Sequence, residues 1–328
     1  MIRISGWRRQ RSGALALRFS SRRQRSGALA LAVPAALVVA LSSCSTVPAR
    51  AATVNGTAIS RSDFQRDLEA LAANPGLLNL TGGTDVSIDG PTARSWLSQV
   101  ITWKTAEDLL NQHGLSTTQE SSDTIQGQIA SNPTAAKLPQ SMQDVVVAGA
   151  AAVQSLTQLT APSAEDLEAQ YRDDPAGTGA LCVSHILLKT EAEAQAVVDE
   201  LKGGADFAEV AKARSTEPAA ATTGGALAGA DGNACQSVGA FQTQYDADFT
   251  AGVLGATVGV PTDPIKSQFG WHVILLRPYE EVADDLATLV SGSPGEAALT
   301  GALATADISV DPRYGQWSRA AGNVVSLH

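Results

Sequence analysis

The 328-residue sequence is poor in aromatic side chains, at 5%, and holds only three cysteines, four histidines and two methionines. Its mean hydropathy is zero, and no apolar run reaches the roughly 20 residues that a membrane-spanning helix needs. These scarcities exclude a polytopic membrane protein, and the composition is neither collagen-like nor that of a wholly disordered chain. Acidic residues are missing altogether from residues 1–43, which carry eight arginines. Basic residues are scarce in the remainder of the chain: residues 44–328 hold 15 Lys and Arg against 33 Asp and Glu. The net charge of −10 therefore divides into +8 and −18, and so acidic a body excludes a sequence-independent basic grip on nucleic acid. What is present is 44% hydrophobic residues, enough for real cores, on a length that suggests about two domains.

The arginine-rich start runs into the apolar stretch Gly27 to Leu41, interrupted by Pro34 and closed by Leu41-Ser42-Ser43-Cys44. About 15 apolar residues are too few for a membrane span and suit the hydrophobic part of a signal peptide. The closing tetrapeptide is similar to the lipobox of bacterial lipoproteins. That resemblance implies a removed signal over 1–43, a lipidated Cys44, and a protein held outside the cytoplasm by a lipid anchor in the cell membrane. More than one acyl chain would make the anchor stable. The competing reading is a plain secretory signal cleaved near Ala51-Ala52, with Cys44 incidental. Ser21-Arg22-Arg23 is like a twin-arginine signal, but Arg25-Ser26 stands where such signals prefer apolar residues, which favours general secretion. The decapeptide Arg8 to Leu17 recurs unchanged at Arg22 to Leu31 and carries no consequence for the fold. Outside the cytoplasm disulfides persist, so Cys182 and Cys235, the pair left once Cys44 is lipidated, are expected to form a bridge; two buried free thiols are the alternative.

After a tether over 44–51, Ala52 to Ile59 alternates toward β structure and turns at Asn55-Gly56. Ser60 is placed to cap a helix with Phe64, Leu68 and Leu71 on one face. A stronger helix is predicted from Thr92 to His113, with Trp96, Val100, Trp103 and Leu110 among its apolar positions and Gly114 as its stop. His113 would then meet the negative end of a helix dipole. Thr117 and Glu120 have capping-box spacing for the next helix, and further helices are predicted at Gln140 to Leu156 and Ser163 to Arg172. Gly82-Gly83 and Ser131-Asn132-Pro133 read as loops. From Ala180 the texture changes. Leu181 to Leu188 reads as one strand, Glu191 to Leu201 and Asp206 to Arg214 as helices, the stretch after Gly224-Gly225 as loop-rich, and Trp271 to Leu276 as a last strand. That order makes a small α+β domain. In the tail, Glu280 to Leu289 and Glu296 to Ala304 read as helices around a Gly292 to Gly295 loop, followed by a short strand and turn over Ile308 to Trp317. His328 has no assigned role.

Four motifs stand in order between Gly179 and Arg277: Ser184-His185-Ile186-Leu187, Gly204-Ala205-Asp206-Phe207-Ala208, Ser215-Thr216-Glu217-Pro218 leading to Gly224-Gly225, and Gln268-Phe269-Gly270-Trp271-His272. Together they resemble the parvulin family of peptidyl-prolyl isomerases. The resemblance implies paired central histidines at His185 and His272, a hydroxyl partner in Ser267, and Glu217 where the family has Cys or Asp. It also implies a proline pocket walled by Leu227, Tyr245, Phe249 and Phe269. The chain departs from the family's Gly-Gly-Asp-Leu at Ala226, and about ten extra residues, including Cys235, separate Leu227 from Tyr245. The element order before this segment, with Val54-Asn55-Gly56 and Gly114-Leu115-Ser116, resembles the N-terminal chaperone domain of SurA-type and PrsA-type secretory foldases, whose tails return to complete that domain. The implied fold class is α+β. A mostly helical chaperone domain spans 52–175, a parvulin-like domain at 176–279 is inserted in it, and a tail over 280–328 packs on the first unit with Ile308 and Val310 near Val54.

Rotation about an X-Pro bond faces a barrier of about 18–20 kcal/mol, because the amide loses resonance when twisted. No bond is made, so the chemistry calls for no nucleophile, metal or cofactor. It needs contacts that favour the twisted amide over both planar forms, and an apolar wall that desolvates the imide weakens its resonance. A zinc site from Cys182, His185, Cys235 and His272 has suitable residue types, but residues three apart on a strand point to opposite faces. A Cys-His protease fails on the same geometry, and two strand histidines could also be satisfied core groups. The resemblance therefore implies a membrane-anchored isomerase and foldase for unfolded or partly folded secreted chains, without cofactor or nucleic acid. The alternative is an isomerase-inactive holdase that uses the parvulin-like domain only to bind clients. Its acidity favours basic clients at low salt.

Overall fold

The computed structural model describes residues 49–74 and 88–327. The segment expected as a signal, with its lipobox-like tetrapeptide and Cys44, the expected loop at Gly82-Gly83, and His328 lie outside the described residues. Asn55 and Gly56 both take left-handed φ, +48° and +81°, which matches the twist of the strands they join. They close a hairpin of β1 (Arg50–Val54) and β2 (Thr57–Ser60). β1 begins inside the stretch expected as tether, because Ala51 and Ala52 are buried core residues.

Ser60 accepts from the Asp63 amide at the head of α1 (Arg61–Ala72), which buries Phe64 and Leu71. α2 (Gly90–Gln112) starts at Gly90 rather than Thr92, because Asp89 caps it and Pro91 suits its first turn. α3 (Gln119–Ser131) is capped by Thr118, one residue later than the expected Thr117, since the Thr118 amide donates to Ser155 Oγ at 3.0 Å and pins the chain there. α4 (Gln140–Ser155) packs on α2 where Gly149 faces Trp103; a Cβ at that glycine would lie 2.2 Å from the indole. Ser163 caps α5 (Ala164–Asp173). Among the described residues no helix is long and apolar enough to cross a membrane.

The single strand expected over Leu181 to Leu188 is two. β3 (Ala180–Leu181) and β4 (Val183–Leu188) part at Cys182, which is disulfide-bonded to Cys235. The chain changes partner strand at this crosslink. α6 (Glu191–Lys202), with its Thr190–Glu193 capping box, and α7 (Phe207–Arg214) come next, then the single turn α8 (Ala220–Thr223). The segment expected as loop-rich contains β5 (Gln236–Ser237), α9 (Val238–Gln244) and α10 (Ala247–Leu254). Helices of seven and eight residues repeat their apolar positions too few times to register as periodic; their caps, Ser237 and Asp246, are the local signals. β6 (Ile265–Ser267) and β7 (Gly270–Leu276) complete an antiparallel sheet in the order β4-β7-β6, while β3 pairs with β5. One face of the larger sheet, with Ile186, Leu188 and Val273, is covered by α6 and α7; the other packs Val183, Ile274 and Leu276 against Phe241, Phe249 and Val253.

α11 (Tyr279–Gly292) and α12 (Pro294–Thr305) are separated by Ser293 alone. The expected Gly292 to Gly295 loop is absorbed because Pro294 fits the first turn of a helix. β8 (Ile308–Val310) pairs with β1, Val54 opposite Ile308 and Ala52 opposite Val310, and Arg61 donates to Asp311 at 2.6 Å. From the end of the expected turn onward there is a further hairpin of β9 (Gln316–Ser318) and β10 (Asn323–Val325). Its Val324 is buried with Ala51, Val54, Phe64, Leu97 and Ile101, so residues near 50 and near 320 share one core. Truncation after Ala306 removes β8 to β10 and exposes that core; the shortened protein is expected to melt several degrees lower by circular dichroism, and equal midpoints would show the tail to be dispensable.

Candidate active site

β4 and β7 pair so that His185 stands opposite Ile274 and Leu187 opposite His272. The two histidines are therefore diagonal neighbours on one face of the sheet, a placement from which their side chains can meet. Their Nδ1 atoms are 3.2 Å apart and their rings stack at 5.4 Å. Outward from this contact, His185 Nε2 lies 2.5 Å from Glu217 Oε2 and His272 Nε2 lies 2.8 Å from Ser267 Oγ. Four expected residues thus form one hydrogen-bonded chain, Glu217, His185, His272, Ser267. Both imidazoles are buried, at 6% and 5% exposure.

The loop carrying Glu217 is stitched to β4. Ser215 Oγ accepts the amides of Leu187 and Glu217 at 3.2 and 3.3 Å, and the Thr216 amide donates to the Leu187 carbonyl. Gly225 closes on the same strand: its carbonyl accepts the His185 amide at 2.9 Å, its φ is +85°, and a Cβ there would lie 2.4 Å from the His185 oxygen. Ala226, where the chain leaves the family pattern, still bridges to Ser184, and the Leu227 amide donates to Val183 at 2.9 Å.

Desolvation, reinforced by the adjacent His185, pushes the His272 pKa down to about 4, so His272 is neutral at physiological pH. The hydrogen bond from His185 holds the Glu217 carboxyl below its usual range, against the opposing effect of burial. In the neutral form of both imidazoles the contacts allow one consistent proton arrangement. A carboxylate only accepts, so His185 Nε2 carries the proton and His185 Nδ1 accepts from His272 Nδ1. His272 Nε2 then accepts from the Ser267 hydroxyl, whose oxygen also accepts the Phe269 amide at 3.0 Å. In that form donation runs one way, from Ser267 to Glu217, and the carboxylate's negative charge stands at one rim of the site.

A pocket of about 270 Å³ opens over this chain. Leu227, Tyr245, Phe249 and Phe269 line it together with His185, Glu217, Ser267 and His272. Phe249 stands edge-on to both imidazoles, at 5.4 and 4.9 Å, and stacks at 5.6 Å on Tyr245, which stacks at 4.9 Å on Phe241. Phe269 sits at the mouth, 69% exposed. The lining also includes Leu187, Gln244 and Asp246, which sequence reasoning missed. Leu187 was findable as the residue two beyond His185 on the same strand face, and Asp246 as the cap of α10. Cys182 and Cys235 are not part of the pocket lining and pack instead with Leu167, Tyr171, Val282 and Leu286. A larger concavity of about 780 Å³, bordered by the end of α2, α5 and α12, contains none of the expected site residues.

A family model described as a PPIC-type PPIase domain, or rotamase, matches residues 185–278. The foldase protein PrsA of Clostridium kluyveri is 38% identical over 114 residues, which is 35% of this chain and 30% of that protein. The chaperone SurA of Pseudomonas putida is 38% identical over 101 residues, 28% of this chain and 21% of that protein. The chain therefore spans less than a third of the length of these relatives. The crystal structure of PrsA from Bacillus subtilis aligns over 78% of this chain and 92% of its own, at 19% identity and a TM-score of 0.27. Where the paired histidines, the Ser-Thr-Glu-Pro loop and the aromatic pocket come together, residues 185–278 form a PPIC-type, parvulin-family peptidyl-prolyl isomerase domain, homologous to that of the PrsA and SurA foldases.

Proposed function

We propose that the protein isomerises X-Pro bonds in unfolded or partly folded secreted polypeptides and assists their folding outside the cytoplasm. The observation that carries this is the hydrogen-bonded chain Glu217-His185-His272-Ser267, its two imidazoles buried, lying under a largely apolar pocket of about 270 Å³ that has room for a proline ring. In this reading the ring enters against Phe249, Tyr245 and Leu227, with Phe269 at the mouth. The apolar wall strips water from the imide and weakens its resonance. His185 and His272, held by Glu217 and Ser267, set the shape and polarity of the floor toward the twisted amide. No covalent step is involved, and every 1.4 kcal/mol or so by which the twisted state is favoured gives about tenfold in rate. The foldase names of the PrsA relatives support the wider role. The lipobox-like Leu41-Ser42-Ser43-Cys44 supports anchoring through lipid on Cys44, and the Cys182–Cys235 disulfide suits an oxidising compartment. The return of β8 to β1 supports a helical unit interrupted by an isomerase module at 176–279.

A protease-coupled assay with an Ala-Pro peptide tests the activity. His272→Ala and Phe249→Ala are each expected to lower kcat/KM at least about tenfold, the equivalent of about 1.4 kcal/mol of transition-state contact. Background rates in the wild type, with suppression of client aggregation intact, would leave an isomerase-inactive holdase instead.

The depressed His272 pKa sets the pH dependence. Because the folded value lies below that of an unfolded histidine, the neutral form is favoured by folding. Its contribution is complete above the ordinary value of 6.5 and is lost as pH falls toward 4. Glu217 acts with the same sign at lower pH, its contribution fading as the carboxylate takes a proton. The isomerase rate is expected to stay level from pH 8 to about 5.5 and to fall as pH approaches 4; a rate that halves between pH 7 and 6 would contradict a neutral His272.

Charge sets a preference among substrates. Glu217 and Asp246 line the pocket, and among the described residues no Lys or Arg does. Peptides with Lys before Pro are expected to bind several-fold more tightly than those with Glu at low salt, and the gap should shrink at high ionic strength. Equal affinities in low salt would count against it.

A further inference from the structure

The insertion that separates Leu227 from Tyr245 is tied down at its end. Asn233 Oδ1 accepts the Cys235 amide at 2.7 Å while Asn233 Nδ2 donates to the Asp285 carbonyl of α11 at 3.0 Å, and Cys235 is bonded to Cys182 three residues before His185. The next residue, Gln236, is held by backbone pairing with Leu181 and keeps its side chain buried, at 6% exposure. A buried amide must find partners, and those of Gln236 are two walls of the pocket. Its Nε2 donates to Tyr245 Oη at 2.9 Å and lies 3.5 Å from the Leu227 carbonyl oxygen. Tyr245 in turn stacks on Phe249, which stands against both imidazoles.

We infer that Gln236 is a positioning residue for the proline pocket, and that the Cys182–Cys235 disulfide determines where Gln236 stands. The inference rests on the isomerase reading of the site. Three side chains, one carbonyl and one crosslink form the path: the disulfide places Gln236, Gln236 holds the Tyr245 hydroxyl and borders the Leu227 carbonyl, and Tyr245 backs Phe249. The insertion thereby braces one wall of the pocket. Because Gln236 touches neither histidine, its loss alters how well the pocket grips a prolyl ring and leaves the floor beneath it unchanged.

The test compares wild type with Gln236→Leu, Tyr245→Phe, their double variant, and a Cys182→Ser/Cys235→Ser protein. Affinity for an Ala-Pro tetrapeptide is read by NMR titration, and turnover by exchange spectroscopy on the same samples. Each single variant is expected to weaken binding about three- to tenfold, the range of one neutral hydrogen bond, and Gln236→Leu, which lies outside the pocket lining, should keep kcat within about twofold of wild type. The double variant should bind no worse than the singles, because both remove the same contact. Tyr245→Phe keeps the ring stacking and so guards against a loss that merely reports misfolding. The cysteine variant should show the same loss, and adding Gln236→Leu to it should cost nothing more. Wild-type affinity in Tyr245→Phe and Gln236→Leu, or losses that multiply in the double variant, would overturn the role of Gln236. Wild-type affinity in the cysteine variant would overturn that of the disulfide. A wild type that binds peptide without turning it over would sink the isomerase reading while the affinities still decide the positioning role; one that does neither sinks both.

Discussion

The register between β4 and β7 is the constraint on which the site depends. With Leu187 opposite His272 and His185 opposite Ile274, the two imidazoles share a sheet face and meet across the diagonal. A slip by one residue would turn one of them to the opposite face, into the layer of α6 and α7. Burial on both faces guards against that slip, since Ile186 and Val273 fill one core and Val183, Ile274 and Leu276 the other. The loop bearing Glu217 and the turn at Gly225 are both hydrogen-bonded to β4, so the carboxylate and the pocket edge take their positions from the same strand.

Burial then decides the electrical state of the floor. An imidazole withdrawn from water resists a positive charge, and a second imidazole beside it adds to the resistance, so His272 stays neutral and can accept from Ser267. Glu217, partly exposed at the rim, is stabilised as a carboxylate by its hydrogen bond with His185. A largely apolar pocket above a hydrogen-bonded pair of buried histidines suits a reaction in which no proton moves and only the resonance of an amide is lost.

Much of this was legible because parvulin-like motifs keep their order along the chain. His185, Glu217, Ser267 and His272 could be named from short local patterns, and the structure brings them into one hydrogen-bonded line. The disulfide was expected from counting cysteines in a chain read as secreted. Helices long enough to repeat their apolar face several times, such as α2 and α6, were also visible. What escaped were elements whose stability comes from contact rather than repetition. α9 and α10 are too short for periodicity to show, β3 and β5 have two residues each, and the β9–β10 hairpin is held by Val324 in a distant core. The cap at Thr118 was displaced from Thr117 by a hydroxyl on α4, 37 residues away in sequence.

By itself the sequence determined the residue types at the site, the α+β class and the division of charge between an arginine-rich start and an acidic body, because each is a property of local pattern or composition. Only the tertiary structure decided that Tyr245 is held by Gln236, that the break between β3 and β4 falls at the disulfide, and that β8 returns to β1. These depend on groups far apart in the chain competing for the same hydrogen bonds and the same buried volume, and such competition is settled when the layers pack.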